Sequence, residues 1–477
     1  MTLAVLKFGG TSVGDARAMR QSAQIVRNAV ERFDQVVVVT SAMGKSPDPR
    51  DQVKVTDTLI NAARTAAEGD ADYFHKAKRQ LADKHMAAID GTVDNPEDRR
   101  RIADEIGQLL DGFETLCASV RVLGEVTPRA LDAISGLGER IAARILAGAL
   151  RSIGVNAVHI DATDIIVTDD RFQSAAPLLD VTRERTRTAL QPLLDRGVVP
   201  VVTGFIGATR TGVPTTLGRG GSDYSASIVA DAMDATDVFN YTDVNGVLST
   251  DPRIAPDART IDVLTATEMS EMAYYGASVL HPMTIAPLIE RNIPLRVKNT
   301  FNPDHPGTLI VHESHVEGAN AIKAVTAIRE VSVISVTGRG MKGVPGIAAR
   351  TFSAVARTGT SVLMFSQASA ETNICLVVPR ASVDRVKQEL RSEMGGEIAR
   401  REIDEVSSFD EASIITVVGQ GISDTPGVSG RVFGALGKAE INIYAIAQGS
   451  SECSISMVVG AAVCNDAVRA VHALTLE

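Results

Sequence analysis

The chain carries one segment twice near its C-terminal end. Residues 338–378 read GRGMKGVPGIAARTFSAVARTGTSVLMFSQASAETNICLVV, and residues 419–459 read GQGISDTPGVSGRVFGALGKAEINIYAIAQGSSECSISMVV. They align without a gap at an offset of 81, with 13 identities in 41 positions. Each copy reads as a glycine-rich turn, a helix, a strand, a turn and a second strand. An apolar strand precedes each, Ser332–Val336 and Ser413–Val418. This is a βαββ unit of the split βαβ type. One such unit cannot bury its apolar face alone, so two copies are expected to pack about a pseudo-two-fold axis. Related clefts would follow, with a duplication that binds nothing as the alternative.

The first 310 residues or so follow a different rhythm, in which short apolar runs alternate with helical patterns. Ala4–Phe8 predicts a first strand, and Met19, Ala23, Val26 and Val30 lie at helical spacing after it. Val36–Thr40 lacks any charge, as a strand covered on both faces should. Ala130–Leu150 reads as helix, and Val198–Thr203, Val238–Tyr241 and Pro294–Val297 as further strands. The alternation argues for a mostly parallel sheet between helical layers. The PDHPG and HESHVEGAN stretches place a boundary near 312–320.

Composition excludes several classes. Net charge is −10 and tryptophan is absent, so neither a basic nucleic-acid face nor a base-stacking platform is expected. The four cysteines form no CxxC pair and the eight histidines show no ligand spacing, so no zinc site is expected. The start, MTLAVLKFGG, lacks a basic segment followed by a long apolar run, and no stretch reaches 18 apolar residues. A cytoplasmic protein without membrane partners is expected.

Two glycine-rich segments can carry chemistry. Lys7-Phe8-Gly9-Gly10-Thr11-Ser12 follows a strand and opens a helix, a context in which backbone N–H groups approach an anion closely. Lys7 adds a charge, and a structural turn is the alternative. Thr216-Leu217-Gly218-Arg219-Gly220-Gly221-Ser222-Asp223 is a second candidate anion nest. Arg219 can clamp a carboxylate or phosphate. Asp223 can orient a lysine or bind through a metal, and helix capping by Ser222 or Asp223 is the alternative. Two nests with a lysine point to phosphoryl transfer, which needs fixed donors and cations more than covalent chemistry. Gly44-Lys45-Ser46 resembles the end of a Walker A loop, but Val39 stands where that loop needs glycine. Tyr241–Arg253 can face a nucleotide or form a surface loop. Glu139 can be solvated or receive an ammonium group. His281-Pro282 is expected to pack rather than react.

In order along the chain, KFGGTSV at 7–13, TLGRGGSDYSA at 216–226, YTDVNGVLSTDPR at 241–253 and EMAYYGASVLHP at 271–282 resemble the signatures of the aspartate kinases. These are amino acid kinases with a C-terminal pair of ACT domains, and GMKGVPGIAARTF and GISDTPGVSGRVF resemble the ACT turn and helix. The resemblance implies an α/β three-layer sandwich with a mostly parallel central sheet, followed by two ferredoxin-like βαββαβ ACT domains. The catalytic domain would span 1–312 and the ACT domains 320–395 and 405–477, with 460–477 able to complete the first. The implied reaction moves the ATP γ-phosphoryl to the side-chain carboxylate of L-aspartate, giving 4-phospho-L-aspartate. This is the entry to lysine, threonine, methionine and isoleucine, or to ectoine.

The resemblance also implies roles. Lys7 would neutralise phosphoryl oxygens, with Gly9 and Gly10 as backbone donors and Asp223 ordering Lys7. Arg219 would hold the aspartate α-carboxylate and Glu139 its ammonium, with Ser41 and Ser222 helping to seat it. Thr242, Asp243 and Arg253 would line the nucleotide side. Mg²⁺ would bind mainly through ATP phosphates, with no protein-only metal site. Two departures stand out. Ser278 replaces a lysine that usually approaches ATP, so one nucleotide contact would be missing or supplied elsewhere, by Arg253 or Lys298. The 44–54 loop is longer and more charged than usual, which suggests a mobile lid or a disordered strip.

Lysine or threonine, or both, would act as effectors. The implied contacts are Met341, Gly343, Gly346 and Gln367 in one copy, and Ile422, Asp424, Gly427, Asn442 and Gln448 in the other. A homodimer through the ACT domains, or a tetramer, is implied. No fused homoserine dehydrogenase is expected within these residues. A glutamate or N-acetylglutamate kinase, or an amino-acid sensor with a degenerate kinase domain, are the competing readings.

Overall fold

The structure, a computed structural model, describes residues 1–46, 48, 51–276, 280, 284–312, 321–368, 372–422, 425–448 and 453–476. It separates into two compact units. One comprises Met1–Val247, Thr260–Ala266 and Val279–Ser314. The other comprises Leu248–Arg259, Thr267–Ser278 and His315–Glu477. Two short segments therefore group with the repeats rather than with the rest of the first 312 residues.

The strands of the first unit are β1 (Leu3–Phe8), β2 (Gln35–Thr40), β3 (Ala157–Ile160), β4 (Val167–Thr168), β5 (Val199–Thr203), β6 (Ile206–Thr209), β7 (Pro214–Thr216), β8 (Asp237–Thr242), β9 (Val263–Thr265), β10 (Leu295–Asn299) and β11 (Thr308–Val311). Its helices are α1 (Ala16–Val30), α2 (Val55–Ala67), α3 (Ala71–Thr92), α4 (Pro96–Leu123), α5 (Pro128–Ser135), α6 (Leu137–Ser152), α7 (Leu179–Leu194) and α8 (Gly221–Ala232). Helix α9 (Ala266–Tyr274) follows β9, and α10 (Ala286–Glu290) precedes β10.

Eight strands form the central sheet in the order β3-β5-β2-β1-β8-β10-β11-β9. Every neighbouring pair is parallel except β10 with β11. All residues of β1 and β2 are buried, as expected for central parallel strands covered on both faces. The core on one face joins Phe8, Leu6 and Val38 to apolar residues of α1, α3, α4 and α6. Capping sets the helix ends. Asp15 accepts from the Ala18 N–H to start α1, and Asn95 accepts from the Glu97 and Asp98 N–H groups to start α4. The helix expected over 130–150 is two helices, divided at Gly136. A Cβ there would come within 2.6 Å of Ile206 Cγ2, so close packing requires glycine.

The second unit adds β12 (Ala324–Thr337), α11 (Ile347–Arg357), β13 (Met364–Gln367), β14 (Asn373–Pro379), α12 (Val383–Glu393), α13 (Gly395–Ala399), β15 (Glu405–Val418), α14 (Val428–Lys438), β16 (Ala445–Ala447), β17 (Ser454–Gly460) and α15 (Cys464–His472). Its sheet runs β13-β14-β12-β15-β17-β16. Strands β12 and β15 are antiparallel along their whole 14-residue lengths, with register shifts between Ile328 and Val333. Each long strand therefore serves both copies. Ile334 and Val336 of β12 join α11, α12 and Val406 of β15 in one core. Val325 of β12 joins Ile415 and Val417 of β15, α14 and α15 in the other. Completion of the first copy by 460–477 is thus corrected: α15 packs with the second copy, and the exchange runs through the strands.

Candidate active site

Lys7 lies near the end of β1, beside Val39 of β2 and Asn240 of β8 in the ladder. Its ammonium forms an ion pair with Asp223, in the first turn of α8. The two side chains are 9% and 16% exposed, so little water screens the pair. Asn240 Nδ2 donates to Asp223 Oδ1 at 3.2 Å, which holds that carboxylate from a second side. No single spacing in the sequence announces this trio. The one signal for Asn240 was a polar residue inside the buried run VFNY.

The loops at this edge of the sheet are close. The Gly9 N–H donates to Tyr241 O at 3.0 Å, so it is engaged within the fold rather than free for a phosphoryl group. The Gly44 N–H donates to Gly10 O at 2.8 Å. A Cβ on Gly44 would lie 2.6 Å from the Gly10 carbonyl carbon, so neither loop could approach as it does with a larger residue at 44. In the second nest, Gly218 and Gly220 have φ of 77° and 72°, the left-handed region that favours glycine. Helix α8 has Gly220 as its N-cap and no side-chain capping bond, so Ser222 and Asp223 are not caps. Ser222 packs against Gly204, where a Cβ would come within 2.8 Å of Ser222 Cβ. Arg219 is exposed and has no side-chain partner among the described residues.

Glu139 sits in the first turn of α6 and is 3% exposed. Its Oε2 is buried and has no partner among the described residues. Burial pushes its carboxyl up to about 7, against the pull of the Ala42 backbone N–H and its own. Ala42 follows the half-buried Ser41, whose N–H donates to Phe8 O at 3.0 Å. A Cβ on Gly138 would lie 2.7 Å from Ala42 Cβ, which explains how α6 comes so near the end of β2. An uncompensated buried carboxylate is expensive and calls for a cation.

At the end of β8, Thr242 Oγ1 donates to Asp243 Oδ1 at 3.3 Å, and Asp243 is exposed. Asn245 Oδ1 accepts from Asn299 and Asn302. Arg253 belongs to the other compact unit, where it pairs with Asp251 at 2.7 Å. Ser278 lies outside the described residues. Lys298 is in register with Tyr241, which puts it on the face of the sheet opposite Lys7. Among the described residues no group of three or more His, Cys, Asp or Glu is placed to hold a metal ion.

Several described residues of the 44–54 loop are tied to the helices around them. Lys84, in α3, reaches Asp51 at 2.6 Å with its side chain 4% exposed. Ser46 Oγ donates to Asp15 and accepts from the Asp48 N–H. In the repeats, Met341 and Ile422 are core side chains, so neither side chain is available to a ligand. Gly343, Gly346 and Gly427 adopt left-handed φ at the turns before the helices. Gln367, Asn442 and Gln448 are exposed, and Asp424 lies outside the described residues.

Two family models match, one described as the amino acid kinase family over residues 2–299 and one as the ACT domain over 334–394 and 415–474. The chain belongs to the amino acid kinase family. Its relatives there are aspartokinases. It is 35% identical over 478 residues to bifunctional aspartokinase/homoserine dehydrogenase 1 of Arabidopsis thaliana, covering 98% of this chain and 50% of that protein. It is 30% identical to aspartokinase 2 of the same plant, covering 99% and 84%. The chain thus spans about half the length of the first of these. Among solved structures, E. coli aspartokinase III in complex with aspartate and ADP (R-state) matches with a TM-score of 0.81 at 29% identity, covering all of both chains. Its lysine and aspartate complex (T-state) gives 0.76 at 29% identity, again over all of both chains.

Proposed function

We propose that this chain is an ATP-dependent aspartate kinase that forms 4-phospho-L-aspartate. The observation that carries this reading is the Glu139 carboxylate at the head of α6, which the Ala42 backbone N–H meets but whose buried Oε2 has no partner among the described residues. It is a socket for an ammonium group, and the exposed Arg219, unpaired among the described residues, supplies the matching grip on an α-carboxylate. Together they select an amino acid as acceptor. Its side-chain carboxylate is already ionised at neutral pH, so no general base is required. One of its oxygens forms the new bond to the γ-phosphorus as the bond to the β-phosphate oxygen breaks, and ADP leaves with that electron pair.

What the protein adds is position and charge. Lys7 neutralises the phosphoryl oxygens, and Asp223 with Asn240 keeps its ammonium from swinging away. The close-packed glycines at 10, 218 and 220 leave room for phosphate beside the backbone, with the Gly10 N–H as donor. Thr242 and Asp243 face the nucleotide. Mg²⁺ would be held chiefly by the ATP phosphates, supplying charge neutralisation there. The paired repeats bind lysine or threonine as end-product effectors and join two chains in a homodimer. This part is supported by the ACT match and by the lysine complex of the E. coli relative.

The test is an acyl-phosphate assay with hydroxylamine trapping, run with Mg·ATP and aspartate or glutamate, then with added lysine, threonine or both. Activity with aspartate and not glutamate is expected. Equal activity with glutamate, or none with either from folded protein, refutes the reading.

A further inference from the structure

Asp132, on α5, is 2% exposed and has no cation partner among the described residues. Its carboxylate instead accepts from three donors. The Gln173 N–H reaches both oxygens at 2.9 and 3.1 Å. The Thr216 N–H reaches Oδ2 at 3.0 Å, and Thr216 Oγ1 donates to Oδ1 at 2.8 Å. It does not cap its own helix, because Thr127 does that. A buried carboxylate with no counter-ion is not a general requirement of folding, and apolar packing would serve stability as well or better.

Its connections run to both halves of the acceptor grip. Thr216 ends β7 two residues before Gly218, and the Ala175 N–H donates to Thr216 O at 2.9 Å. A Cβ on Gly218 would lie 3.0 Å from Gln173 O, so the 173–175 turn forms the floor under the glycine loop. On its other side, the Asp132 carbonyl accepts from the Gly136 N–H at 3.2 Å, at the break between α5 and α6. Glu139 is three residues beyond that break.

We infer that Asp132 is a positioning residue that sets the spacing between Glu139 and the Gly218–Gly221 loop bearing Arg219. The inference rests on the proposed reading of those two residues as the grip on the acceptor's ammonium and α-carboxylate. Asp132 touches neither substrate. It clamps the floor and the root of the loop to the helix pair that carries Glu139, so one residue fixes the distance across which an α-amino acid is held. An error of about 1 Å in such spacing costs on the order of 100-fold.

The experiment uses full-length Asp132→Asn and Thr216→Val. Asparagine keeps the shape and can keep an oxygen for the Gln173 and Thr216 N–H groups, but it removes the negative charge that strengthens those bonds and turns an NH₂ toward the Thr216 hydroxyl. In Asp132→Asn the KM for aspartate should rise by roughly tenfold or more, the scale of one lost hydrogen bond to a charged group, while the KM for Mg·ATP moves less than about twofold. Thr216→Val removes a single donor, leaves the carboxylate in place and should raise the aspartate KM by roughly threefold or more. It serves if Asp132→Asn does not fold. Amide hydrogen exchange at Gln173 and across Thr216–Gly221 should quicken in both. An aspartate KM within about twofold of the unsubstituted chain in a folded variant, or equal rises for aspartate and ATP, overturns the inference. If the unsubstituted chain does not phosphorylate aspartate, the functional reading fails separately. Exchange then decides the clamp: unchanged protection of 216–221 overturns it, and faster exchange sustains it.

Discussion

Glu139→Gln should make the protein more stable and, at the same time, a poorer binder of its acceptor. The Glu139 carboxyl, ordinarily near 4.5, is pushed up to about 7 by burial. Between those values the folded chain keeps a proton that the unfolded chain has released. Stability therefore falls as pH rises through that window. Above pH 7 the loss is complete and amounts to about 3 kcal/mol, at about 1.4 kcal/mol for each pH unit between the two values. Glutamine has no proton to lose. At pH 8 the variant should melt several degrees higher, at about 2–4 °C per kcal/mol for a domain of this size, and at pH 5 the two should nearly coincide. Binding runs the other way. The acceptor's ammonium needs the ionised carboxylate, and only about one-tenth of the chains offer it at pH 6. For the unsubstituted chain, kcat/KM for aspartate should fall about tenfold per pH unit below 7 and level off above it. The glutamine variant should lose that dependence and bind roughly 30-fold or more weaker, as expected when one partner of a buried charge pair is removed. Calorimetry and acyl-phosphate assays, with reactions run from pH 5.5 to 8.5 before trapping, measure both. A flat aspartate profile between pH 6 and 8, with no gain in melting temperature at pH 8, would refute the socket.

Three further substitutions probe the rest of the site. Lys7→Ala should cut turnover by about 100-fold or more, the scale of a lost transition-state charge, and near-normal turnover would remove Lys7 from the chemistry. Arg219→Ala should raise the KM for aspartate while leaving melting temperature and ATP affinity nearly unchanged, because the side chain is exposed and has no partner among the described residues; an effect confined to ATP would reverse its assignment. Asp51→Ala should destabilise by about 3 kcal/mol or more, because it leaves the buried Lys84 ammonium unpaired, whereas Lys84→Met should cost much less; equal small losses in thermal melts would show that the pair does not anchor the 44–54 loop.

The sheet was readable because its central strands are buried on both faces, which removes charge from runs such as Val36–Thr40. The repeat was readable because each copy solves the same packing problem. Strand length was not. Ser332–Val336 and Ser413–Val418 are only parts of β12 and β15, because Arg329-Glu330 and Asp410-Glu411 interrupt the apolar pattern. Glu330 takes φ of 56° in the irregular stretch between the two registers, where an exposed charge is tolerated. Within the site, Lys7 and Asp223 were visible as residue types, but their meeting depends on α8 lying over β1 and β8. Asp132 looked like any aspartate on a helix, since its partners are 41 and 84 residues away. The anchoring of the 44–54 loop was hidden for the same reason, as Lys84 belongs to a separate helix. Met341 and Ile422 were the reverse case. Their apolar side chains were a signal for the core that proximity to a glycine turn obscured.

The motif YTDVNGVLSTDPR reads as one nucleotide loop, yet it falls in two compact units. Tyr241–Val247 belongs with the catalytic sheet and Leu248–Arg253 with the repeats. The reason is visible in the hydrogen bonds. Val247 N–H donates to Thr308 Oγ1 at 2.8 Å, inside the first unit. Two residues on, Ser249 O accepts from the Val325 N–H of β12 at 2.8 Å, and Ser249 Oγ lies 2.8 Å from Nε2 of the buried His472 in α15. Arg259 donates to the Thr475 carbonyl, and Arg469 to that of Ile254. The distal half of the loop is therefore an integral part of the second repeat's packing, joined by one peptide bond to residues that face the nucleotide on the proposed reading. Allosteric control requires that an effector change some contact differently in two states. On the proposed reading, β12 and α15 already hold the loop's distal half. On that reading, an effector that shifts either element would act directly on the loop's distal half, within the second unit.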